Sequence, residues 1–165
     1  ALKLDPVEVL QNIAVARAFN SDHQMLIAEK TEDLIKQKMA TDRPVRLIVV
    51  DSLTSQFRAD FVGRGQLADR QQKLNKHMHV LMKLASQYNL CVYVTNQVMA
   101  KPDTFFGDPT VAIGGNIVGH NSQTRIYLRK GKKGTRVGKL IDSPYLPDAE
   151  CIFKVTDAGL EDVEE

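Results

Sequence analysis

Several absences narrow this chain before any motif is considered. No apolar run approaches the roughly 20 residues that a helical membrane span needs, so no membrane partner is expected. There are only two cysteines, Cys91 and Cys151, and they lack metal-ligand spacing. Their apolar, strand-like surroundings predict two buried free thiols, not a disulfide or a thiolate metal site. No secretory leader is visible, and the expectation is an intracellular protein. Internal repeats and low-complexity linkers are also missing, which predicts one domain or part of one. Acids are absent between Arg125 and Lys139, where seven Lys and Arg residues fall. Such a segment either meets phosphates or forms a solvated hairpin. The last nine residues reverse the sign with Asp157, Glu161, Asp162, Glu164 and Glu165, which predicts a frayed, solubilising end.

What is present is ordinary in bulk. With 165 residues, 43% apolar and 25% charged, the chain is long enough for a compact domain with a real core. "LDPVEVLQNI" predicts a short helix capped by Asp5, with Pro6 at its first position. "IAVAR" (13–17) predicts a short strand. Residues 21–39 predict a helix capped by Ser21, with Ile27, Thr31, Leu34 and Ile35 along one face. "VRLIVV" (45–50) and "LCVYVTN" (90–96) predict buried strands. Between them a long helix runs from about Gln66 to Gln87, with Leu67, Leu74, Met78, Leu81 and Ala85 on one face. The next 20 or so residues, "QVMAKPDTFFGDPTVAIGGN", show no period and predict a functional or mobile loop. The tail turns β-rich through "TRIYLR", "TRVGKLI" and "ECIFKV". Together these predict an α/β domain, parallel in its centre and antiparallel at one edge.

The chemistry centres on "LIVVD" (47–51). Four apolar residues deliver the carboxylate of Asp51 to the carboxyl end of a sheet, where open α/β sheets bind ligands. An acid there can hold Mg²⁺ against nucleotide phosphates, although many strands end in Asp merely to cap a turn. The partner motif, G-x-x-x-x-G-K-S/T, does not occur. "GKKGTRVGKL" fails its spacing and lies between predicted strands, so no helix N-terminus faces a phosphate. His77 and His79 point some 200° apart on a helix and cannot grip one metal. One is expected in the core and one on the surface. In "FRADFVGRGQLADRQQ", Arg58, Arg64 and Arg70 bracket a loop that Gly63 and Gly65 allow to bend sharply. Such a tip suits phosphate contact or insertion between bases, and suits an ordinary salt-bridged loop equally well. "VTNQV" ends its strand in two amides, Asn96 and Gln97, able to orient water or a terminal phosphate or simply to cap the strand.

Seven runs in this order, "ARAFNSDHQ", "LIVVDS", "GRGQLADRQQKL", "VTNQV", "IGGNIVGH", "YLRKGK" and "LIDSPYLP", cover nearly the whole chain. Taken together they closely resemble the strand-exchange recombinases of archaea and eukaryotes, the RadA proteins and their relatives, with bacterial RecA more distant. "FFGDPT" looks more archaeal than eukaryotic. The resemblance implies a RecA-like ATPase core and an ATP- and Mg²⁺-dependent enzyme. Such an enzyme forms a filament on single-stranded DNA, pairs it with double-stranded DNA and exchanges strands. Mediator proteins of recombination would be partners, in the nucleoid or cytoplasm of an archaeon or the nucleus of a eukaryote.

By the same resemblance Asp51 is the metal-holding acid. Gln97 and His120 link terminal-phosphate sensing to the second DNA loop, which runs from Val98 to about Ile117 and includes Gly114, Gly115 and Asn116. Arg58, Arg64 and Arg70 belong to the first DNA loop or its flank. Asp142 and Pro147 cap the nucleotide of the adjacent subunit. Self-association uses a Phe-x-x-Ala tetrapeptide docked into a groove between Ala14 and Ala16 on one side and Ile27, Thr31 and Leu34 on the other. Two small residues leave room for an aromatic ring and the helix supplies an apolar wall. In this family the P-loop and a catalytic Glu precede the matched region, so the chain is expected to be the carboxyl-terminal part of one ATPase domain. Alone it would not bind ATP tightly. The rival expectations are a non-catalytic oligomerisation or peptide-docking module, and a regulatory paralogue.

Overall fold

The computed structural model describes residues 3–100 and 110–163, which form two compact units. One comprises residues 10–121; the other joins the residues up to Val9 with those from Ser122 onward.

The larger unit is a two-stranded parallel sheet backed by helices. Strand β1 (Leu47–Val50) pairs with β2 (Cys91–Val94) in the register Leu47↔Cys91 to Val50↔Val94. Helices α2 (Ser21–Met39) and α4 (Leu67–Tyr88) cover one face. Period-2 alternation sends Ile48, Val50, Val92 and Val94 toward a core of Ala28, Leu53, Phe57, Leu74, Met78, Leu81 and Val118. A second cluster, Ile35, Leu84 and Leu90, extends that core to the far end of the sheet. The two strands are therefore half-buried, not buried: Leu47, Val49 and Tyr93 stay 51–55% exposed on the opposite face. Cys91 lies on that face too, and Cys151 is likewise exposed, so both free thiols are accessible and not core residues.

Helix boundaries follow local chemistry. Asp5 accepts from Val7 N at 3.0 Å and starts α1 (Pro6–Gln11) as expected. The cap of α2 is Asn20, whose Oδ1 accepts from His23 N at 2.7 Å. Ser21, the expected cap, is instead the first helical residue, and its N–H donates to Asp60 Oδ2 at 2.7 Å. A bond from the Ser21 hydroxyl, seconded by this backbone bond, holds the Asp60 carboxyl below its ordinary pKa. The chain over 13–17 is not a strand: none of the described residues forms a ladder with it, and Val15 is 87% exposed. The helix face that meets the core is Ser21, Gln24, Ala28 and Ile35, which leaves Ile27, Thr31 and Leu34 half-buried beside it. On α4, His77 is buried and His79 exposed, the division expected from their spacing. Helix α4 ends on Asn89, whose φ of 48° supplies the left-handed cap.

The region after β2 is more regular than its composition suggests. A short antiparallel pair, β3 (Val98–Ala100) with β4 (Thr110–Ala112), precedes helix α5 (Gly115–Asn121). Composition missed the stem because each strand is three residues, too short to show a period. The middle of the expected DNA loop, 101–109, lies outside the described residues.

The smaller unit is a four-stranded antiparallel sheet in the order β5 (Arg125–Lys130), β6 (Arg136–Asp142), β7 (Ala149–Thr156), β8 (Gly159–Asp162). A single 3₁₀ turn over Lys132–Gly134 joins β5 to β6, so the false P-loop match is a hairpin turn. Glu161 and Asp162 are not frayed: they belong to β8, opposite Lys154 and Phe153. Here backbone pairing overrides the acidic composition. The antiparallel edge expected from the sequence is present, whereas the parallel part comprises two described strands.

Candidate functional site

Asp51 stands immediately beyond β1, and its side chain is exposed. The chain is fixed there from both sides. Thr95 N donates to Val50 O at 3.1 Å, and Leu53 N donates to Thr95 O at 2.9 Å, so the parallel ladder continues past both strands. The Asp51–Ser52 peptide is cis. Leu53 and Phe57, 0% and 1% exposed, anchor the turn and the helix α3 (Ser55–Asp60) that follows. Burying a side chain of that size contributes roughly 1.5–3 kcal/mol toward holding this corner against the core.

The register then decides which side chains meet. Thr95 Oγ1 donates to Asp51 Oδ1 at 2.6 Å, leaving Oδ2 free of that bond. Thr54 Oγ1 donates to Asn96 Oδ1 at 2.7 Å, and Gln97 N donates to the same oxygen at 3.0 Å. Asn96 Nδ2 donates to Ile113 O at 2.6 Å, while Ile113 N donates to Gln97 O at 2.9 Å. Arg58 Nη1 donates to Gln97 Oε1 at 2.9 Å. Asp51, the amides Asn96 and Gln97, and Arg58 thus share one end of the sheet, with hydroxyls locking the acid and the first amide in place. Thr54 and Thr95 were not singled out from the sequence. A Thr closing the strand beside an acid-ended one was the available signal.

The remaining candidates fall into groups. Gly114 has φ +94° and is buried, and a Cβ there would run into Val118 and approach Leu74 at 3.2 Å. Gly115, at φ +58°, opens α5, where Asn116 and His120 are exposed. Gly63 has φ +102° and carries the sharp bend, whereas Gly65 is not in the left-handed region. Arg64 begins a single 3₁₀ turn that leads into α4, and Arg70 is half-buried in the first turn of that helix. Ala14 and Ala16 are exposed in an irregular segment of the same unit as Ile27, Thr31 and Leu34.

In the smaller unit Asp142 closes β6 and takes two hydrogen bonds from Arg125, Nε at 3.1 Å and Nη2 at 2.8 Å. Pro147 is exposed between β6 and β7. The basic hairpin is partly neutralised, since Arg129 pairs with Glu150 at 3.2 Å.

Donor chemistry bears on the metal. Among the described residues no three His, Cys, Asp or Glu side chains gather as a metal cage. A single exposed carboxylate oriented by a hydroxyl fits Mg²⁺, which binds through one or two carboxylates and otherwise takes water and phosphate oxygens. No described helix is long and apolar enough to cross a membrane.

An acid and an amide pair at the carboxyl ends of adjacent parallel strands, backed by helices, define a mixed α/β protein compatible with the RecA-like class. The family model described as Rad51 matches residues 1–163, and the chain belongs to the Rad51 family. Membership places it with recombinase-type proteins, whose complete members are DNA-dependent ATPases.

Proposed function

We propose that the complete protein carrying this sequence is an ATP-dependent recombinase that assembles on single-stranded DNA and exchanges strands with a homologous duplex. One observation carries the reading: Asp51 and the Asn96–Gln97 amides sit together where β1 and β2 end, joined by Thr95. In this reading residues 1–165 belong to a single RecA-like ATPase domain.

Asp51 would hold Mg²⁺, which when bound neutralises charge on the nucleotide phosphates. Thr95 keeps one oxygen of that carboxylate occupied and so orients the other. Gln97 offers its amide to a terminal phosphate oxygen or to the attacking water. Its backbone tie to Ile113 would pass the state of the nucleotide toward Gly114, Gly115, Asn116 and His120, the foot of the second DNA loop. Arg64 and Arg70 would meet DNA phosphates from the first loop, and Arg58 lies at its flank. Asp142 and Pro147 would close over the nucleotide of the next protomer, with Asp142 held in place by Arg125. Filament contacts would use a Phe-x-x-Ala segment seated against Ala14, Ala16, Ile27, Thr31 and Leu34, and mediator proteins could compete for that groove.

A strand-exchange assay with the complete protein tests this directly. Exchange that needs both ATP and Mg²⁺ supports it. If single-stranded DNA is bound but never exchanged, the regulatory paralogue is the better reading. Peptide docking without DNA binding would leave only the oligomerisation module. Half-buried Ile27, Thr31 and Leu34 and exposed Ala14 and Ala16, all in the larger unit, leave apolar surface that a docked peptide could cover in any of the three.

A further inference from the structure

The bond between Arg58 and Gln97 is poorly explained as a contribution to folding. Both side chains are exposed, and an exposed hydrogen bond adds little net stability because water competes for both partners. Its chemical consequence is larger. A guanidinium only donates hydrogen bonds, so the Gln97 amide has to turn Oε1 toward Arg58 Nη1, at 2.9 Å. The other end of the amide, the Nε2 donor, then faces away from Arg58.

Everything else about Gln97 is already determined. Its N–H donates to Asn96 Oδ1 at 3.0 Å and its carbonyl accepts from Ile113 N at 2.9 Å. Asn96 is held in turn by Thr54 Oγ1 at 2.7 Å and by its own bond to Ile113 O at 2.6 Å. Only the side-chain amide remains to be set, and Arg58 sets it. Arg58 sits on α3, two residues before the helix ends and five before the Gly63 bend. The pair therefore ties the chain leading into that bend to the end of the sheet.

We infer that Arg58 is a positioning residue for Gln97, fixing its amide so that the NH₂ group, not the oxygen, meets an anionic oxygen at the sheet end. This rests on the recombinase reading above, in which that oxygen belongs to the terminal phosphate of ATP. Without Arg58 the amide can turn its oxygen toward the anion, which repels it. The alternative is that Arg58 grips a DNA phosphate directly. Salt separates the two, since each phosphate contact adds about one unit to the salt dependence of DNA binding and a positioning residue adds none.

The test uses the complete protein with Arg58→Ala, Arg58→Lys, Gln97→Ala and the Arg58→Ala/Gln97→Ala double variant. ATP hydrolysis is measured with and without oligo-dT, and oligo-dT binding is measured across a salt series. Arg58→Ala should lower DNA-stimulated kcat on the order of tenfold, as misplacing a reacting group does, with KM for ATP nearly unchanged. Arg58→Lys, which keeps one donor, should recover part of the loss, and the double variant should be no slower than Gln97→Ala. The salt slope should stay at the wild-type value. A slope shallower by about one unit, or losses that multiply in the double variant, overturns the assignment. A wild-type protein that neither hydrolyses ATP nor binds oligo-dT fails differently, because it removes the recombinase reading itself.

Discussion

Thr95 Oγ1 reaches Asp51 Oδ1 across 2.6 Å, joining the ends of two parallel strands that lie 44 residues apart in sequence. The hydroxyl occupies one carboxylate oxygen and orients the other. Groups that orient a metal-holding carboxylate typically matter 10–100-fold in metal affinity. Thr95→Val keeps the β-branched shape and removes the donor, so Mg²⁺-dependent nucleotide binding by the complete protein should weaken by about that factor. A Mg²⁺ titration followed by nucleotide fluorescence checks it, and an unchanged midpoint would separate Thr95 from the metal.

Arg64 begins the short turn that leads into α4, directly after the Gly63 bend. In the complete protein Arg64→Ala should weaken single-strand binding for all sequences alike and reduce its salt slope by about one unit. Unaltered binding would remove Arg64 from the DNA surface.

His77 lies in the core of the larger unit, 1% exposed, with Phe57 beside it at 5.7 Å. Gln24 Nε2 reaches His77 Nε2 at 3.3 Å and also donates to Leu53 O at 3.2 Å, so the ring accepts through Nε2. Burial pushes the imidazole pKa down from 6.5 to about 4. The unfolded chain then binds the proton first, and stability falls as pH drops from 6.5 toward 4. Between pH 8 and pH 5 the loss from this group should be about 2 kcal/mol. Urea unfolding at the two pH values measures it, and His77→Gln should show a smaller difference. An equal difference in both proteins would place the pH dependence elsewhere.

Gly114 and Gly115 are adjacent and both left-handed, yet they should respond differently. A Cβ at Gly114 collides with Val118, whereas one at Gly115 meets only Gln71 Nε2 at 3.8 Å. Both alanine variants carry the backbone cost of about 1–2 kcal/mol for a left-handed residue. Gly114→Ala should lose clearly more, because Val118 and Leu74 must also shift. Paired thermal unfolding curves decide the order.

A Phe-x-x-Ala peptide added to the folded protein should shift the amide resonances of Ala14, Ala16 and Ile27. In the proposed docking mode, Ala16→Leu should abolish those shifts by obstructing the aromatic ring. Shifts confined to other residues would move the groove.

Much of the fold was legible because it rests on local pattern. Helix α2 matches its expected range of 21–39, and α4 and both parallel strands lie within a few residues of theirs, since apolar period and breakers act over a few residues. The expected strand at 13–17 failed for the opposite reason. A strand exists only with a partner, and none of the described residues supplies one. The candidate site divides similarly. Asp51, Asn96 and Gln97 stood out as polar residues ending apolar runs, whereas Thr54 and Thr95 gained meaning only from the register between β1 and β2. The free-thiol expectation survived in chemistry but not in burial, because the sheet face carrying Cys91 is uncovered among the described residues.

By itself the sequence determined which residue types end the two parallel strands, where α1, α2 and α4 lie to within a few residues, and which family the ordered motifs resemble. Those are properties of short stretches and need no partner. Only the tertiary structure decided that Thr95 holds Asp51, that Arg58 turns to Gln97, and that Asn96 and Gln97 are each tied to Ile113. Those bonds span 16–44 residues, and the distance across them is set by strand register and helix packing, not by spacing along the chain.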